Sequence, residues 1–185
     1  TVDVAGFNKL MEEQRNRARA AQKKQARALS EIETKEPTRF VGFDTLSNKA
    51  KVLEVISMKG KTAVILDVST AYAEMGGQVG DSGLISHGAD TWPVANTQKS
   101  GNTWLHFIEG DDAPAVGTVI DFNVDAARRR AIERHHTVTH LLHWALHEVV
   151  SREASQKGSA VAPDKLTFDF NSAALTPQQV RDIER

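Results

Sequence analysis

The sequence predicts an α+β protein with a long N-terminal helix, a small β-barrel and then an α/β unit. Changes of hydrophobic period along the chain carry this prediction. Residues 3–33 follow the three-and-four spacing of a helix, residues 37–125 alternate with a period of two, and helical spacing returns after Asp125. We therefore expect a linker helix over 1–36, a barrel over 37–125 and an α/β subdomain, incomplete at its C-terminus, over 126–185.

The apolar stripe of the N-terminal helix is thin. It contains Ala and Gln as well as large apolar residues: Val4, Phe7, Met11, Gln14, Ala18, Ala21, Gln25, Ala28 and Ile32. Such a stripe buries too little apolar surface to form a coiled coil by itself. We therefore expect this helix to pack against a neighbouring domain or to link two domains. Its middle is basic, which indicates either a solvated face or contact with a polyanion backbone.

The barrel prediction rests on short runs rich in Val, Ile, Thr and aromatic residues, separated by turn residues. Six or seven short strands at this spacing are typical of a small β-barrel. The turns are marked by Lys59-Gly60, Ser100-Gly101 and the stretch 111–114. The predicted strands are 39–43, 50–58, 61–67, 91–97, 103–109 and 118–124.

The last third of the chain predicts a helix over 129–150, an alternating strand over 166–170 and a second helix. The second helix has a clear entry, because Thr176 can act as N-cap, Pro177 suits the first helical position and Gln179 can close a capping box. These residues complete the predicted α/β unit.

Composition limits the class of protein. A chain of 185 residues with 40% hydrophobic and 25% charged residues can bury a substantial core. It lacks the roughly 18-residue apolar run of a membrane helix and the apolar region of a signal peptide, so we expect a soluble, cytoplasmic protein. With no cysteine, any zinc site must be built without thiolates from this chain. The net charge of -1 argues against a dedicated nucleic-acid binder with a global basic field.

Both ends of the sequence resemble internal positions. The chain opens at Thr1, its first methionine is Met11 inside a helical pattern, and the last predicted helix has barely begun at Arg185. We therefore expect this chain to be a piece of a longer protein.

Four histidines follow one side of the predicted helix over 129–150. At roughly 100° per residue, they fall within about 60° of one another. They are His136, His140, His143 and His147. The opposite face is apolar and is predicted to pack into the core through Val138, Leu141, Leu142, Ala145, Leu146 and Val149.

His136 and His140 are candidate metal ligands. Imidazoles at positions i and i+4 project together, within reach of one metal ion, and histidine is a common zinc ligand. The same spacing also occurs on exposed helices without metal. Since zinc requires three or four protein ligands, the pair is predicted to be half of a site.

The surroundings of this pair identify a family. The motifs are His136-Thr-Val-Thr-His140-Leu-Leu-His143, Ser155-Gln-Lys-Gly-Ser159, Leu166-Thr-Phe-Asp-Phe170 and the glycine-rich Thr70-Ala-Tyr-Ala-Glu-Met-Gly-Gly-Gln-Val-Gly-Asp-Ser-Gly83. Together they resemble the editing domain of the alanyl-tRNA synthetase family, and residues 3–28 resemble the helix that leads into it. The resemblance covers nearly the whole chain.

This resemblance implies proofreading. The parent enzyme would use ATP, at a synthetase domain that this chain lacks, to attach alanine to its tRNA. The region present here would hydrolyse the ester formed when serine or glycine is attached by mistake. In the family, zinc is held by the two histidines together with a cysteine and a histidine from a following segment. We therefore expect this chain alone to bind zinc weakly and to edit poorly.

The resemblance also suggests roles for individual residues. Thr139 and Gln156 are candidates for positioning the water or the ester, Thr70 for hydrogen bonding the serine hydroxyl, and Gln78 for a second polar group of the pocket. Zinc could activate water or orient the substrate, and both roles stay open. We expect the partner to be the acceptor end of alanine tRNA, with His143 and His147 facing solvent or RNA and His135 incidental.

Two features allow more than one interpretation. Gly76-Gly77 is compatible with a tight turn, with contact to substrate, or with both. Five basic residues are compatible either with solvation and pairing to Asp125 or Glu133, or with contact to tRNA phosphates: Arg128, Arg129, Arg130, Arg134 and Lys157.

Other functions remain compatible with the sequence. They are a freestanding alanyl-tRNA editing hydrolase, the related editing domain of threonyl-tRNA synthetase, and a non-catalytic RNA-binding or spacer module. The sequence does not indicate the oligomeric state.

Overall fold

The computed structural model describes residues 6–7, 9–15, 36–58, 60–110 and 112–185. Residues 6–7 and 9–15 are helical, as expected for the start of the N-terminal helix. The remainder of that prediction, including most of its basic stretch, lies outside the described residues, so a long helix is not shown.

The described chain runs from a strand-rich region into a helical one. In chain order its elements are β1 (Arg39–Phe40), β2 (Ser47–Met58), β3 (Lys61–Leu66), β4 (Val68–Ser69), β5 (Gly83–His87), β6 (Asp90–Ser100), β7 (Thr103–Ile108), β8 (Val119–Val124), α1 (Ala126–Val149), β9 (Gln156–Val161), β10 (Leu166–Phe170) and α2 (Pro177–Glu184). The mixed α+β class is confirmed.

Six of the strands form a closed barrel in the order β2-β3-β7-β6-β5-β8, and all of its neighbouring strands are antiparallel. Closure pairs the strand edges, which would otherwise be free to associate with other chains. The predicted barrel is confirmed, but two strands were missed. β5, which closes it, was overlooked because Gly83, Ser86 and His87 are weak strand signals. The other is the two-residue β4, which pairs with β1.

The interior of the barrel follows from alternation along its strands. In β8, Ile120, Phe122 and Val124 are buried while the residues between them are exposed. Residues of the other strands and Ala71 of the loop after β4 complete one core cluster, which contains Ala50, Val52, Val64, Leu66, Ala71, Ile85, Trp92, Val94 and Ile108. Burial of this apolar surface is the main stabilising contribution to the barrel.

The second unit begins directly after β8. Asp125 caps α1 by accepting a hydrogen bond from the backbone of Arg128 at 3.0 Å. Beyond α1, β9 and β10 form an antiparallel hairpin. The predicted strand over 166–170 is confirmed as β10, whereas β9 was not predicted, because Gln156, Lys157 and Gly158 are weak strand signals. The predicted helix entry is confirmed, because Thr176 and Gln179 form a capping box and Pro177 occupies the first turn.

The buried face of α1 differs from the predicted one. Ile132, Leu146, Thr139 and Arg129 are buried, whereas Val138 and Leu141 are 44% and 57% exposed. The prediction that Val138 and Leu141 pack into the core is wrong, because the barrel loop and the β9–β10 hairpin approach α1 on the side that carries the histidines. None of the helices in the described ranges is long and apolar enough to cross a membrane.

Candidate functional site

The two predicted metal ligands are neighbours on α1. The ring centroids of His136 and His140 are 4.9 Å apart, and their Nε2 atoms lie 3.1 Å from each other. Both residues are exposed. The i, i+4 spacing therefore directs two ring nitrogens towards one point at the surface of the helix.

Gln78 fixes the orientation of one of these rings. The Nδ1 atom of His136 donates a hydrogen bond to the Gln78 side-chain oxygen at 2.8 Å, and Gln78 is buried. Because this bond places the ring proton on Nδ1, the Nε2 atom of His136 keeps its lone pair. The role of Gln78 as a polar group of the pocket stays a prediction, and its observed contact with His136 adds a positioning role.

The donor set of this pair fits zinc as two of its ligands. In a tetrahedral site with bonds of about 2.0–2.1 Å, two ligand nitrogens lie roughly 3.3 Å apart. The observed Nε2 separation of 3.1 Å is close to that value. In the part of the chain that the structure describes, no group of three or more His, Cys, Asp or Glu residues could hold a metal ion. The described residues therefore offer a pair of ligands and no third one.

The glycine-rich loop reaches α1 through a tight turn. Gly76 and Gly77 both have positive φ, and the backbones of Met75 and Gln78 hydrogen bond to each other across them. A Cβ atom on Gly77 would lie 2.4 Å from the carbonyl oxygen of Ser159 in β9. The tight-turn interpretation is confirmed, and close approach to β9 is a second reason for glycine here.

Gln156 is connected to the same region through β9. Its Nε2 atom donates to the Ser159 hydroxyl at 2.9 Å, and Ser159 packs against Gly77 beside Gln78. Gln156 is exposed, so its side chain is accessible to a ligand.

Thr139 is buried on α1, and its hydroxyl donates to the His135 carbonyl at 2.8 Å. With its proton engaged in the helix, this hydroxyl is left with its lone pairs as acceptors.

Thr70 lies at the start of the glycine-rich loop. It is fully buried, and its hydroxyl donates to Asn48 Oδ1 at 3.0 Å. Its carbonyl oxygen accepts a hydrogen bond from Arg129 at 2.9 Å, which connects it to α1. Because the Thr70 hydroxyl proton is donated to Asn48, the Thr70 oxygen can take part in a further hydrogen bond only as an acceptor.

Arg129 joins the helix to two loops. Its guanidinium forms a buried ion pair with Asp81 and donates to the carbonyl oxygens of Gly42 and Thr70. The predicted pairing with Glu133 is present as a long contact of 3.9 Å to an exposed carboxylate, whereas the close partner Asp81 was not predicted. Burial also removes Arg129 from the residues that could contact tRNA. The sequence could have indicated that Arg129 is buried, because helical spacing places it on the same face of α1 as His136.

Asp81 organises the loop from its other side. Its Oδ2 atom accepts a hydrogen bond from the Tyr72 backbone at 2.7 Å. Burial, and secondarily the charge of Asp81, raises the pKa of the Tyr72 phenol. The loop is thus held around one carboxylate, which faces the start of α1.

The remaining histidines of α1 have structural contacts. His147 Nε2 donates to the Ala154 carbonyl at 2.7 Å, and His143 packs against Phe168 with ring centroids 5.5 Å apart. Both are half-buried, so the prediction that they face solvent or RNA is wrong. His135, expected to be incidental, donates to the Ala162 carbonyl at 2.6 Å and so binds the β9–β10 turn.

A serine and histidine also meet inside the barrel. The Ser69 hydroxyl donates to His106 Nε2 at 2.7 Å, and His106 Nδ1 donates to the Val64 carbonyl at 2.9 Å. Burial lowers the pKa of His106 to about 4. Since both side chains are fully buried, this pair has a structural role and is not a nucleophile and base that a substrate could reach.

The chain is similar in sequence to known proteins over its whole length. Residues 1–128 match the family model described as tRNA synthetases class II (A). Alanine-tRNA ligase of Akkermansia muciniphila is 47% identical over 185 residues, which cover 99% of this chain and 20% of that protein. Alanine-tRNA ligases of Pseudomonas entomophila and Methylacidiphilum infernorum are each 38% identical over the whole chain, which covers 22% and 19% of their lengths. The chain therefore spans about a fifth of these relatives.

Proposed function

Because the chain belongs to the alanyl-tRNA synthetase family of class II, we propose that it forms the proofreading region of an alanine-tRNA ligase. The whole ligase would attach alanine to its tRNA with ATP, in the cytoplasm. The region described here would hydrolyse the seryl or glycyl ester attached to that tRNA by mistake. Within this proofreading region, residues 1–36 would form the linker helix and residues 37–125 the barrel part. Residues 126–185 would form the subdomain that carries the histidines.

The observation that carries this proposal is the meeting of the His136–His140 pair with Gln78. A helix from the second unit and a turn from the barrel contribute to one surface, and β9 brings Gln156 to the same turn. Such a junction between two units is a common place for a substrate site.

The chemistry required of this surface is modest, since an aminoacyl ester is already reactive. A water oxygen must attack the ester carbonyl carbon, and the bond from that carbon to the ribose oxygen must break. The products are a free amino acid and a tRNA with its hydroxyl restored. The site must position the water and stabilise the oxyanion that develops.

The residues of this chain can divide these tasks. Gln156 is exposed and can donate from its amide to the ester or accept from the water, while Gln78 holds the His136 ring in place. When bound at the histidine pair, zinc would supply a Lewis acid that lowers the pKa of bound water or orients the substrate. Among the described residues, His136 and His140 would be the two metal ligands.

Selectivity follows from the difference between a methyl and a hydroxymethyl side chain. The apolar amino-acid pocket of an aminoacylation site rejects serine weakly. A second site that hydrogen bonds the serine hydroxyl can reject alanine well. The resemblance implies Thr70 for this contact; because Thr70 is fully buried and its hydroxyl donates to Asn48, the serine hydroxyl would reach it only if the glycine-rich loop opened.

Hydrolysis of preformed seryl-tRNA by an alanine-tRNA ligase that carries this region tests the proposal. We expect His140→Ala to slow hydrolysis at least tenfold while alanine activation stays unchanged. His87→Ala is the matched control, because His87 is an exposed histidine on the barrel. Hydrolysis that is equally fast in both variants would contradict the proposal, because the hydrolytic site would then lie away from the histidine pair. Absence of hydrolysis in the unaltered ligase would favour the non-catalytic RNA-binding module.

A further inference from the structure

The face of α1 beside the histidine pair is apolar and unpartnered among the described residues. Trp144 is 63% exposed, Leu141 57% and Val138 44%. Large apolar side chains grouped on one exposed face are typical of a binding surface. We call Val138, Leu141 and Trp144 the outer face of α1.

The position of Trp144 relates this face to the candidate site. Trp144 lies four residues after His140, which is about 6 Å along the helix axis and on a neighbouring ridge. A group that packs on the indole would therefore have its adjoining atoms within reach of the histidine pair.

The other end of the outer face is basic. Arg130 and Arg134 are exposed one turn apart and line a groove of about 490 Å³ together with Glu133, Thr137 and Val138. The Glu133 carboxylate also lines the groove and is exposed, 3.9 Å from Arg129, so the groove carries two exposed arginines and one exposed glutamate. Glu148, one turn beyond Trp144, is the acidic residue at the far end of the face.

A row of arginines that leads to an exposed tryptophan suits single-stranded RNA. Arginines bind the phosphates, and an indole stacks on a base without preference for its sequence. From Arg134 to Trp144 the helix rises about 15 Å, which corresponds to roughly two or three nucleotides.

We propose that Trp144 is a binding residue for an unpaired base at the 3′ end of the substrate RNA, with Arg130 and Arg134 on the preceding phosphates. This inference rests on the proposed function and extends it to a named contact. A base stacked on Trp144 places the ribose that carries the ester one turn towards the N-terminus, at His140 and His136.

Binding of a fluorescein-labelled RNA hairpin with four unpaired 3′ nucleotides tests the contact in the 185-residue chain. Fluorescence anisotropy should show that Trp144→Ala weakens binding at least fivefold, in line with the usual contribution of base stacking. Trp144→Phe should restore most of the affinity. Arg134→Glu should weaken binding and reduce its dependence on salt.

Phe43→Ala is the matched control, because Phe43 is an 86% exposed aromatic residue on the barrel segment. It should leave affinity unchanged, and a blunt-ended hairpin should bind weakly to all variants. Equal affinity of the native chain and Trp144→Ala, with unchanged thermal unfolding, would overturn the proposal. Loss of self-association in Trp144→Ala with RNA binding intact would also overturn it, and would assign the outer face to a second copy of the chain.

The two proposals can fail separately. Seryl-tRNA hydrolysis by the unaltered ligase reports on the proposed function alone. If that hydrolysis is fast and Trp144→Ala binds the hairpin normally, the stacking contact is wrong and the proofreading function stands. If hydrolysis is absent while Trp144→Ala binds poorly, the RNA contact stands and the proofreading function fails.

Discussion

The Nδ1 atom of His136 donates to the side-chain oxygen of Gln78 at 2.8 Å, across the junction between the histidine helix and the glycine-rich turn. A hydrogen bond to the second nitrogen of a ligating histidine fixes its tautomer and ring orientation. The contact therefore makes the metal affinity of the helix dependent on a residue of the barrel.

Gln78→Ala should weaken zinc binding by about 10- to 100-fold in a ligase that carries this region, since loss of such a partner has that effect in other zinc proteins. A competition titration with a zinc chelator measures the change. Gln98→Ala is the control, because Gln98 is a barrel glutamine that donates to Glu74. Equal zinc affinity in both variants would contradict a positioning role for Gln78.

Gln156→Ala should slow seryl-tRNA hydrolysis roughly tenfold or more, because its amide is exposed at the turn and a misplaced water or ester lowers the rate strongly. Single-turnover hydrolysis measures this effect. Gln178→Ala, an exposed glutamine of α2, should hydrolyse normally. A parallel loss of alanine activation in Gln156→Ala would instead indicate a defect in folding or between domains.

Arg129→Met should destabilise the chain by about 3 kcal/mol or more, because it leaves the Asp81 carboxylate buried without its counter-charge. Urea unfolding measures the loss. Replacing Asp81 by Leu in the same chain should recover part of it. Lys49→Ala breaks the exposed ion pair with Asp121 and should cost under about 1 kcal/mol. A similar small loss for Arg129→Met would show that the buried pair does not hold the loop.

The free energy of unfolding should decrease as the pH is lowered, because of His106. The unfolded imidazole has its ordinary pKa of 6.5, and burial lowers the pKa in the folded chain to about 4. Above pH 6.5 both states are neutral and the contribution is fully present. As pH falls from about 6.5 towards 4, the unfolded state binds the proton first, and about 3 kcal/mol is lost.

His106→Gln tests this dependence by urea unfolding at several pH values. Its stability should be lower at neutral pH and should change less between pH 6.5 and 4 than that of the native chain. His87→Gln, at an exposed position, should retain the native slope. The same slope in His106→Gln and the native chain would assign the acid sensitivity to other groups.

The sequence predicted those features that depend on local pattern. Alternation predicted five of the six barrel strands, and helical spacing brought His136 and His140 together, as the structure shows. The Thr176 capping box was predicted for the same reason, because all its atoms lie within one turn.

Long-range partners were not predictable in this way. The buried face of α1 is determined by the segments that pack on it. Gln78 of the barrel loop hydrogen bonds to His136, Ala162 of the β9–β10 turn to His135, and Ala154, which precedes β9, to His147. Polar side chains with partners can be buried, while the larger apolar set around Trp144 stays exposed. Similarly, Asp81 and Arg129 are 48 residues apart, and their pairing depends on the closed barrel.

Titration of zinc into the metal-free ligase, with seryl-tRNA hydrolysis followed at each step, tests the central claim most directly. We expect hydrolysis to rise in step with occupancy of one site, and His136→Ala to lower both. The 185-residue chain alone should bind zinc weakly, because its described residues supply two ligands. Full hydrolysis by the metal-free ligase, or unchanged zinc binding and hydrolysis in His136→Ala, would contradict the claim.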